Sequence, residues 1–399
     1  MSRHRPLKAA LIYGYEPSGH SSAAQAIAEE LPSELVEPVH VNLSSVFPSF
    51  GPFVARAYLQ VLKKTPAVWS YAYDNSLLSL AAKSLRGAVL PYYSRRLAAY
   101  LHRRGVKAVI STHAMACQML SADGGGTPHG PLFAVVTDFR AHSYWPGRGV
   151  KAWFTHDRAG SDDLRKNGAP AERIFACGIP VRKGFAAPRS REAELLSLGL
   201  DPRLFTVLLA GGSKGLGELE EAASALRPLL GKIQLLVLCG ENRRLSASLE
   251  KMLGGKKHAR VFNYCKDTSP HLAAADIVAG KPGGVTAAES LALIKPLFIF
   301  APLPGQEERN ADFLARRRLA LKADTAAELA HLVKRAAGEP GMLDPMKKAI
   351  VQYSRPRAAR DIAARVLEEL YRPEQGNFRC GRCQEPGGRP SFEKGRKTC

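Results

Sequence analysis

The sequence predicts an α/β protein of two domains, each built on a largely parallel sheet. Three observations carry this expectation. The 399 residues suit two domains of roughly 150 to 200 residues. Short apolar runs alternate with stretches of helical spacing, the pattern of strands crossed over by helices. Each half also opens in the same way, with a buried strand, a small-residue turn and a helix start, at residues 7–24 and again at 205–218.

Composition narrows the classes. Hydrophobic residues make up 45% of the chain. No uninterrupted apolar run approaches the ~20 residues of a spanning helix, so an integral membrane protein is not expected. A formal charge of +21 calls for a polyanionic partner, either nucleic acid or an anionic lipid surface. The seven cysteines are odd in number and scattered, without a disulfide framework. Residues 1–13 hold too short an apolar run for a signal peptide. A cytoplasmic setting is the expectation.

In chain order, Leu7–Tyr13 reads as a buried strand stopping at Gly14, and Ser18-Gly19-His20 starts a helix. His20 thereby lies at a strand-to-helix turn. Ligands of open α/β sheets bind at the carboxyl ends of parallel strands, so an imidazole there is placed for proton transfer; a helix-capping role is the plainer alternative. Val36–Asn42 reads as the next strand. Residues 47–107 then hold ten Lys or Arg and one acid, Asp74, interleaved with Tyr, Phe and Trp. Such a pattern fits an interfacial membrane helix. A solvated basic face fits it too, and single-stranded nucleic acid would also suit aromatics among cations, although no nucleic-acid motif accompanies them.

Two further strands, around residues 108–112 and 131–137, deliver polar ends to the same sheet edge as His20. The second leads into Asp138 and a loop with His142 and Trp145. Asp138 suits orienting an imidazole, acting as a second base, or simply capping a turn. Gly178-Ile-Pro-Val marks a turn, and a domain boundary is expected near residue 185: residues 1–185, then 186–371, with a Gly-, Arg- and Pro-rich tail at 372–399 reading as disordered. Cys380 and Cys383 form a lone CxxC with only Cys399 nearby, and without a fourth ligand this is weak support for a zinc site.

The second half restarts with Phe205–Ala210 and the turn Gly211-Gly212-Ser213-Lys214, whose consecutive N–H groups suit an anion. It lacks P-loop spacing. After a strand at 260–262, whose end Phe262 is a further candidate for substrate contact, Asn263-Tyr264 could border a flat base. The stretch 279–313 follows, in which Lys281-Pro-Gly283-Gly284 opens a helix carrying Glu289, and a strand leads to Gln306, Glu307 and Asn310. A helix N-terminus with small residues is a ready anion site. Three readings fit this stretch: a plain βαβ turn, a dinucleotide fold weakened by the missing Gly-x-Gly-x-x-Gly, and a site for a nucleotide-linked sugar.

Six pieces in order, around Gly19-His20, Thr137-Asp138…His142…Trp145, Cys177-Gly-Ile-Pro180, Gly211-Gly212, Lys281-Pro-Gly-Gly284 and Pro304-Gly-Gln306-Glu307, resemble the monogalactosyldiacylglycerol synthase and processive diacylglycerol glucosyltransferase family. The likeness covers about residues 7 to 370. Ser213-Lys214 departs from the family's more glycine-rich first loop, and the Cys-bearing tail has no counterpart. The resemblance implies a GT-B fold, in which two Rossmann-like domains face a central cleft and the final helix returns to the first domain. It also implies His20 as catalytic base and Asp138 and Trp145, with His142 beside them, on the acceptor side. Gly211, Gly212, Gly283 and Gly284 become a diphosphate cradle, Glu289 a ribose carboxylate, and Gln306 with Glu307 the readers of sugar hydroxyls.

The activity so implied is transfer of a hexose from a UDP-sugar to diacylglycerol with inversion. No metal or resident cofactor is required and nucleic acid is not a partner. The chain would sit peripherally on the inner face of the cell membrane. The alternatives are an enzyme like UDP-N-acetylglucosamine 2-epimerase and a non-catalytic basic surface-binding protein.

Overall fold

The computed structural model describes residues 5–48, 91–121 and 129–372. Its strands form two six-stranded sheets. The first contains β1 (Leu7–Tyr13), β2 (Val36–Asn42), β3 (Ala108–Ser111), β4 (Leu132–Val135), β5 (Val150–Thr155) and β6 (Ile174–Ala176), in the order β2-β1-β3-β4-β5-β6. The second contains β7 (Phe205–Ala210), β8 (Ile233–Leu238), β9 (Ala259–Phe262), β10 (Ile277–Gly280), β11 (Leu297–Phe300) and β12 (Ala320–Ala323), in the order β12-β11-β10-β7-β8-β9. Every ladder is parallel.

Parallel sheets are covered on both faces, so their central strands read as continuous apolar runs. β3, β4, β8, β10 and β11 are buried along their whole length. The polar exception in β8 is satisfied: Gln234 accepts from the Asp201 amide at 2.8 Å and donates to the Asp201 carbonyl at 2.8 Å and to Thr206 Oγ1 at 3.0 Å.

Strand order reverses once in each sheet. In the first, β1 runs out to β2 on one side and to β3 on the other. In the second, β7 runs to β8 on one side and to β10 on the other. At such a switch point the loops leaving adjacent strands diverge and open a crevice beyond the strand ends. His20 follows β1, and the glycine turns follow β7 and β10, so all lie at these two points.

The last helix among the described residues, Ala358–Tyr371, crosses back to the first domain. Ile362, Ala363 and Val366 join the core built from Ala9, Leu11, Ile27 and Ala152. Tyr371 Oη donates to the Leu35 carbonyl at 3.0 Å. Gly178 (φ +106°) permits the crossing, since a Cβ there would lie 2.5 Å from that of Arg355 and 2.8 Å from that of Ala358. Between the sheets, Phe185 and Leu195 already pack with Leu208 and Leu236 of the second.

Most of the basic aromatic segment, residues 49–90, lies outside the described residues, as does the tail from 373. The described end of the segment is a helix over residues 91–103. It turns Leu97, Ala98 and Leu101 inward and leaves Arg95, Arg96 and Arg103 exposed, Arg96 against the exposed Tyr92. Among the described residues no helix is long and apolar enough to cross a membrane.

Candidate active site

Ser18 fixes the start of the helix Gly19–Ala28 through a capping box with Ser21. That delivers His20 to the end of β3. The His20 Nδ1 lies 2.7 Å from the Thr112 carbonyl and 3.0 Å from Thr137 Oγ1. A carbonyl oxygen only accepts, so Nδ1 carries the proton and Nε2 keeps its lone pair. Thr112 Oγ1 also donates to the His20 carbonyl at 2.9 Å, tying the helix start to β3 at a second point. Burial lowers the His20 pKa, with the Thr112 bond opposing the shift, so the imidazole is neutral near pH 7 and fit to accept a proton.

The imidazole is therefore oriented by Thr112 and Thr137. Asp138 turns elsewhere, accepting from Asn310 Nδ2 of the second domain at 2.9 Å. Burial pushes the Asp138 carboxyl up to about 6, Asn310 opposing, Glu307 adding and Lys281 opposing. His113 stands edge-on to His20, ring centroids 4.9 Å apart. His142 is half-buried and accepts from the Tyr144 amide at 3.3 Å.

Trp145 differs from the sequence expectation. It is 1% exposed in the core of the first domain, so its ring reaches the site only through His142, against which it tilts at 5.8 Å.

Across the gap, the two glycine turns converge on Lys281. A Cβ on Gly212 (φ +68°) would sit 3.6 Å from Lys281 Cε, and one on Gly283 would sit 3.7 Å from Lys281 Nζ. Gly211 is held to glycine by crowding, with the Leu216 carbonyl 2.7 Å from where a Cβ would be. Lys281 Nζ pairs with Glu307 Oε1 at 2.5 Å, both side chains largely buried. Glu307 also accepts from the Leu303 amide at 2.9 Å. Lys214 instead points outward, paired with Glu241 and 5.5 Å from the centre of the Tyr15 ring.

Several residues expected to meet a ligand join the two domains. Asn310 is fully buried. It donates to Asp138 and to the Pro282 carbonyl and accepts from the Phe139 amide. Gln306 Nε2 donates to the Arg140 carbonyl at 2.8 Å, and Ser213 Oγ to the Pro17 carbonyl at 2.9 Å. Gly19 packs on Val285. A helix start from each domain thus meets the other domain directly. Asn310 is a strut, a role its position in the sequence did not reveal.

Phe262 is half-buried, its ring edge-on to His271 at 4.5 Å, whereas Tyr264 is exposed at the rim. Glu289 is buried on the helix Gly284–Ala292. Burial pushes its carboxyl up to about 8, with Asp267 adding and Arg182 opposing. Between 4.5 and about 8 the folded chain therefore holds a proton that the unfolded chain has released, and stability falls as pH rises through that window. Glu289→Gln removes this slope. Thermal unfolding at pH 5, 6.5 and 8 is expected to show the variant gaining on the wild type as pH rises, by on the order of a few kcal/mol at pH 8. A constant difference across the series would contradict the assignment.

Two doubly covered parallel sheets, joined face to face at their switch points and closed by a returning helix, define a GT-B protein. Comparison with known proteins narrows the class. Residues 20–181 match the family Monogalactosyldiacylglycerol (MGDG) synthase, and residues 206–362 match the Glycosyltransferase family 28 C-terminal domain. A processive diacylglycerol beta-glucosyltransferase of Bacillus cytotoxicus is 30% identical over 278 residues, 69% of this chain and 71% of the relative. One of Staphylococcus epidermidis is 25% identical over 239 residues, 60% of this chain and 61% of that protein.

Among solved structures, Staphylococcus aureus MnaA with UDP superposes with a TM-score of 0.58 at 15% identity, covering 91% of this chain and 97% of that one. MurG of Acinetobacter baumannii gives 0.57 at 15% identity, covering 91% and 100%. These two likenesses are of fold alone. The chain belongs to the monogalactosyldiacylglycerol synthase and processive diacylglycerol glucosyltransferase family, and it is a hexosyltransferase.

Proposed function

We propose that the chain transfers a hexose from a UDP-sugar to the free hydroxyl of diacylglycerol, inverting the anomeric carbon, with His20 as general base. The observation that carries this reading is the bond from His20 Nδ1–H to the Thr112 carbonyl, which leaves Nε2 as the ring's only basic atom. Nε2 takes the acceptor's proton as its oxygen attacks the anomeric carbon. The bond from that carbon to the UDP oxygen breaks in the same step.

The departing diphosphate gains negative charge. The amides of the turns at Gly211-Gly212 and Gly283-Gly284, the N-terminus of the helix Gly284–Ala292 and Lys281 are the groups available to meet it, and no resident cofactor is needed. Glu289 holds the ribose, and Gln306 with Glu307 reads the sugar hydroxyls. For Gln306 and Glu307 this requires that the donor displace their present partners, the Arg140 carbonyl and Lys281. The exposed arginines of the helix over residues 91–103 meet an anionic membrane at its cytoplasmic face.

The test is an incubation of purified protein with diacylglycerol in anionic vesicles and, separately, UDP-glucose, UDP-galactose and UDP-N-acetylglucosamine. Glycolipid is expected from at least one donor, with vesicle association weakening as salt screens the exposed charges. Silence with all three would overturn the reading, as would conversion of free UDP-N-acetylglucosamine to its epimer.

A further inference from the structure

We propose that His113 is a positioning residue for the base: its ring, wedged between Gly14 and His20, confines His20 to the one rotamer that keeps Nδ1 on the Thr112 carbonyl. This rests on the reading of His20 as general base and adds to it a residue that takes no part in the proton transfer itself.

The backbone of His113 is fixed first. Ser111 Oγ donates to the His113 carbonyl at 2.9 Å, and the same carbonyl accepts from the Cys117 amide at 3.2 Å, where the chain leaves β3 for the helix Ala114–Ser121. The ring then has little freedom. On one side is Gly14, where a Cβ would stand 2.9 Å from His113 Cδ2 and 3.0 Å from Nε2. On the other is His20, at 4.9 Å between centroids and 73° between planes. A glycine at position 14 is what admits the imidazole to this slot.

The ring's chemistry suits a wall better than a second base. His113 Nδ1 is buried with no hydrogen-bond partner. The titratable groups facing it are His20, from the helix Gly19–Ala28, and His142, from the loop after β4. Burial, then those two neighbours, push its pKa down to about 3. It therefore stays neutral while His20 becomes an imidazolium in mid-reaction, and adds no like charge at the moment one would be most costly. What the site asks of residue 113 is an uncharged planar ring on a fixed backbone. Phenylalanine meets that requirement and alanine does not.

The experiment compares His113→Phe, His113→Ala and Gly14→Ala, the last pressing on the His113 ring from behind. The full chain is labelled at histidine nitrogens, and the tautomer of His20 is read by NMR without any substrate. Melting temperatures and steady-state kinetics accompany it. His113→Phe is expected to keep the Nδ1–H tautomer and a kcat within about threefold of wild type. In His113→Ala and Gly14→Ala the tautomer preference is expected to be lost, and kcat to fall about tenfold or more at unchanged donor KM, because the base leaves its reacting geometry.

A wild-type tautomer and kcat in His113→Ala would overturn the proposal. So would a loss in His113→Phe as large as in His113→Ala when both melt like wild type, since that would give the His113 nitrogen a chemical role. The tautomer measurement needs no turnover, so it stands or falls separately from the activity assigned above.

Discussion

His20→Asn is expected to lower kcat by roughly 10² to 10⁴-fold, the usual worth of a placed general base, while UDP binds as before. The choice of asparagine separates two roles of the side chain. Its amide can still donate to the Thr112 carbonyl and so replace the structural half of the interaction. It has no lone pair able to take a proton from an attacking hydroxyl, so only the chemistry is removed. The wild-type pH profile supplies a second check. Because burial lowers the His20 pKa from 6.5, Nε2 stays unprotonated to below that pH, and the acid limb of kcat/KM belongs below 6.5. The Asn variant should lack the limb. A limb that persists unchanged in His20→Asn, or a kcat near wild type, would assign the base to another group.

How far these features could be read from the chain depends on how local they are. The strands announced themselves because a parallel strand covered on both faces reads as a continuous apolar run, and β4 and β11 are such runs. His20 was legible because small residues follow a strand and then turn into a helix. The glycine turns were legible for the same reason.

The hydrogen-bond partner that sets the His20 tautomer was not, since it is the backbone carbonyl of a residue 92 positions later and a carbonyl has no residue type. Asn310 shows the other limit. Its position beside Gln306-Glu307 suggested a contact to a ligand, yet its partners Phe139 and Asp138 lie more than 170 positions earlier on the opposing domain. Trp145 looked like a residue to meet an acceptor because it sits in a polar loop, but that loop folds the ring inward. His113 carried one signal, a polar residue just past a buried strand at the same sheet edge. What makes it more than a strand end is the empty space at Gly14, which only the fold brings next to it.

That sensitivity to a missing side chain is sharpest at Gly284, where alanine is expected to cost on the order of 10²-fold in kcat/KM with little loss of melting temperature. A Cβ at 284 would lie 2.0 Å from the Thr137 carbonyl oxygen and 2.9 Å from Asp138 Oδ1. The carbonyl is backbone two residues past the buried strand β4 and cannot swing aside. The local backbone accepts the change: Gly284 has no left-handed φ, and alanine in a helix is favoured over glycine by about 1 kcal/mol.

The strain in Gly284→Ala is therefore relieved by parting the two domains at the joint made by Asn310, Gln306 and Gly284. A displacement of about 1 Å at the reacting centre is enough for a loss of that size. Gly283→Ala is the matched comparison, because its Cβ would meet Lys281 Nζ at 3.7 Å and Glu307 Oε1 at 3.8 Å, ordinary contacts with flexible side chains. It should keep kcat/KM within about tenfold of wild type. Rates for the two variants, read beside their melting curves and small-angle scattering with and without UDP, distinguish a parted joint from a misfolded domain. Equal losses in both would place the defect in the glycine turn itself, and a wild-type rate in Gly284→Ala would mean that the domains already turn over apart.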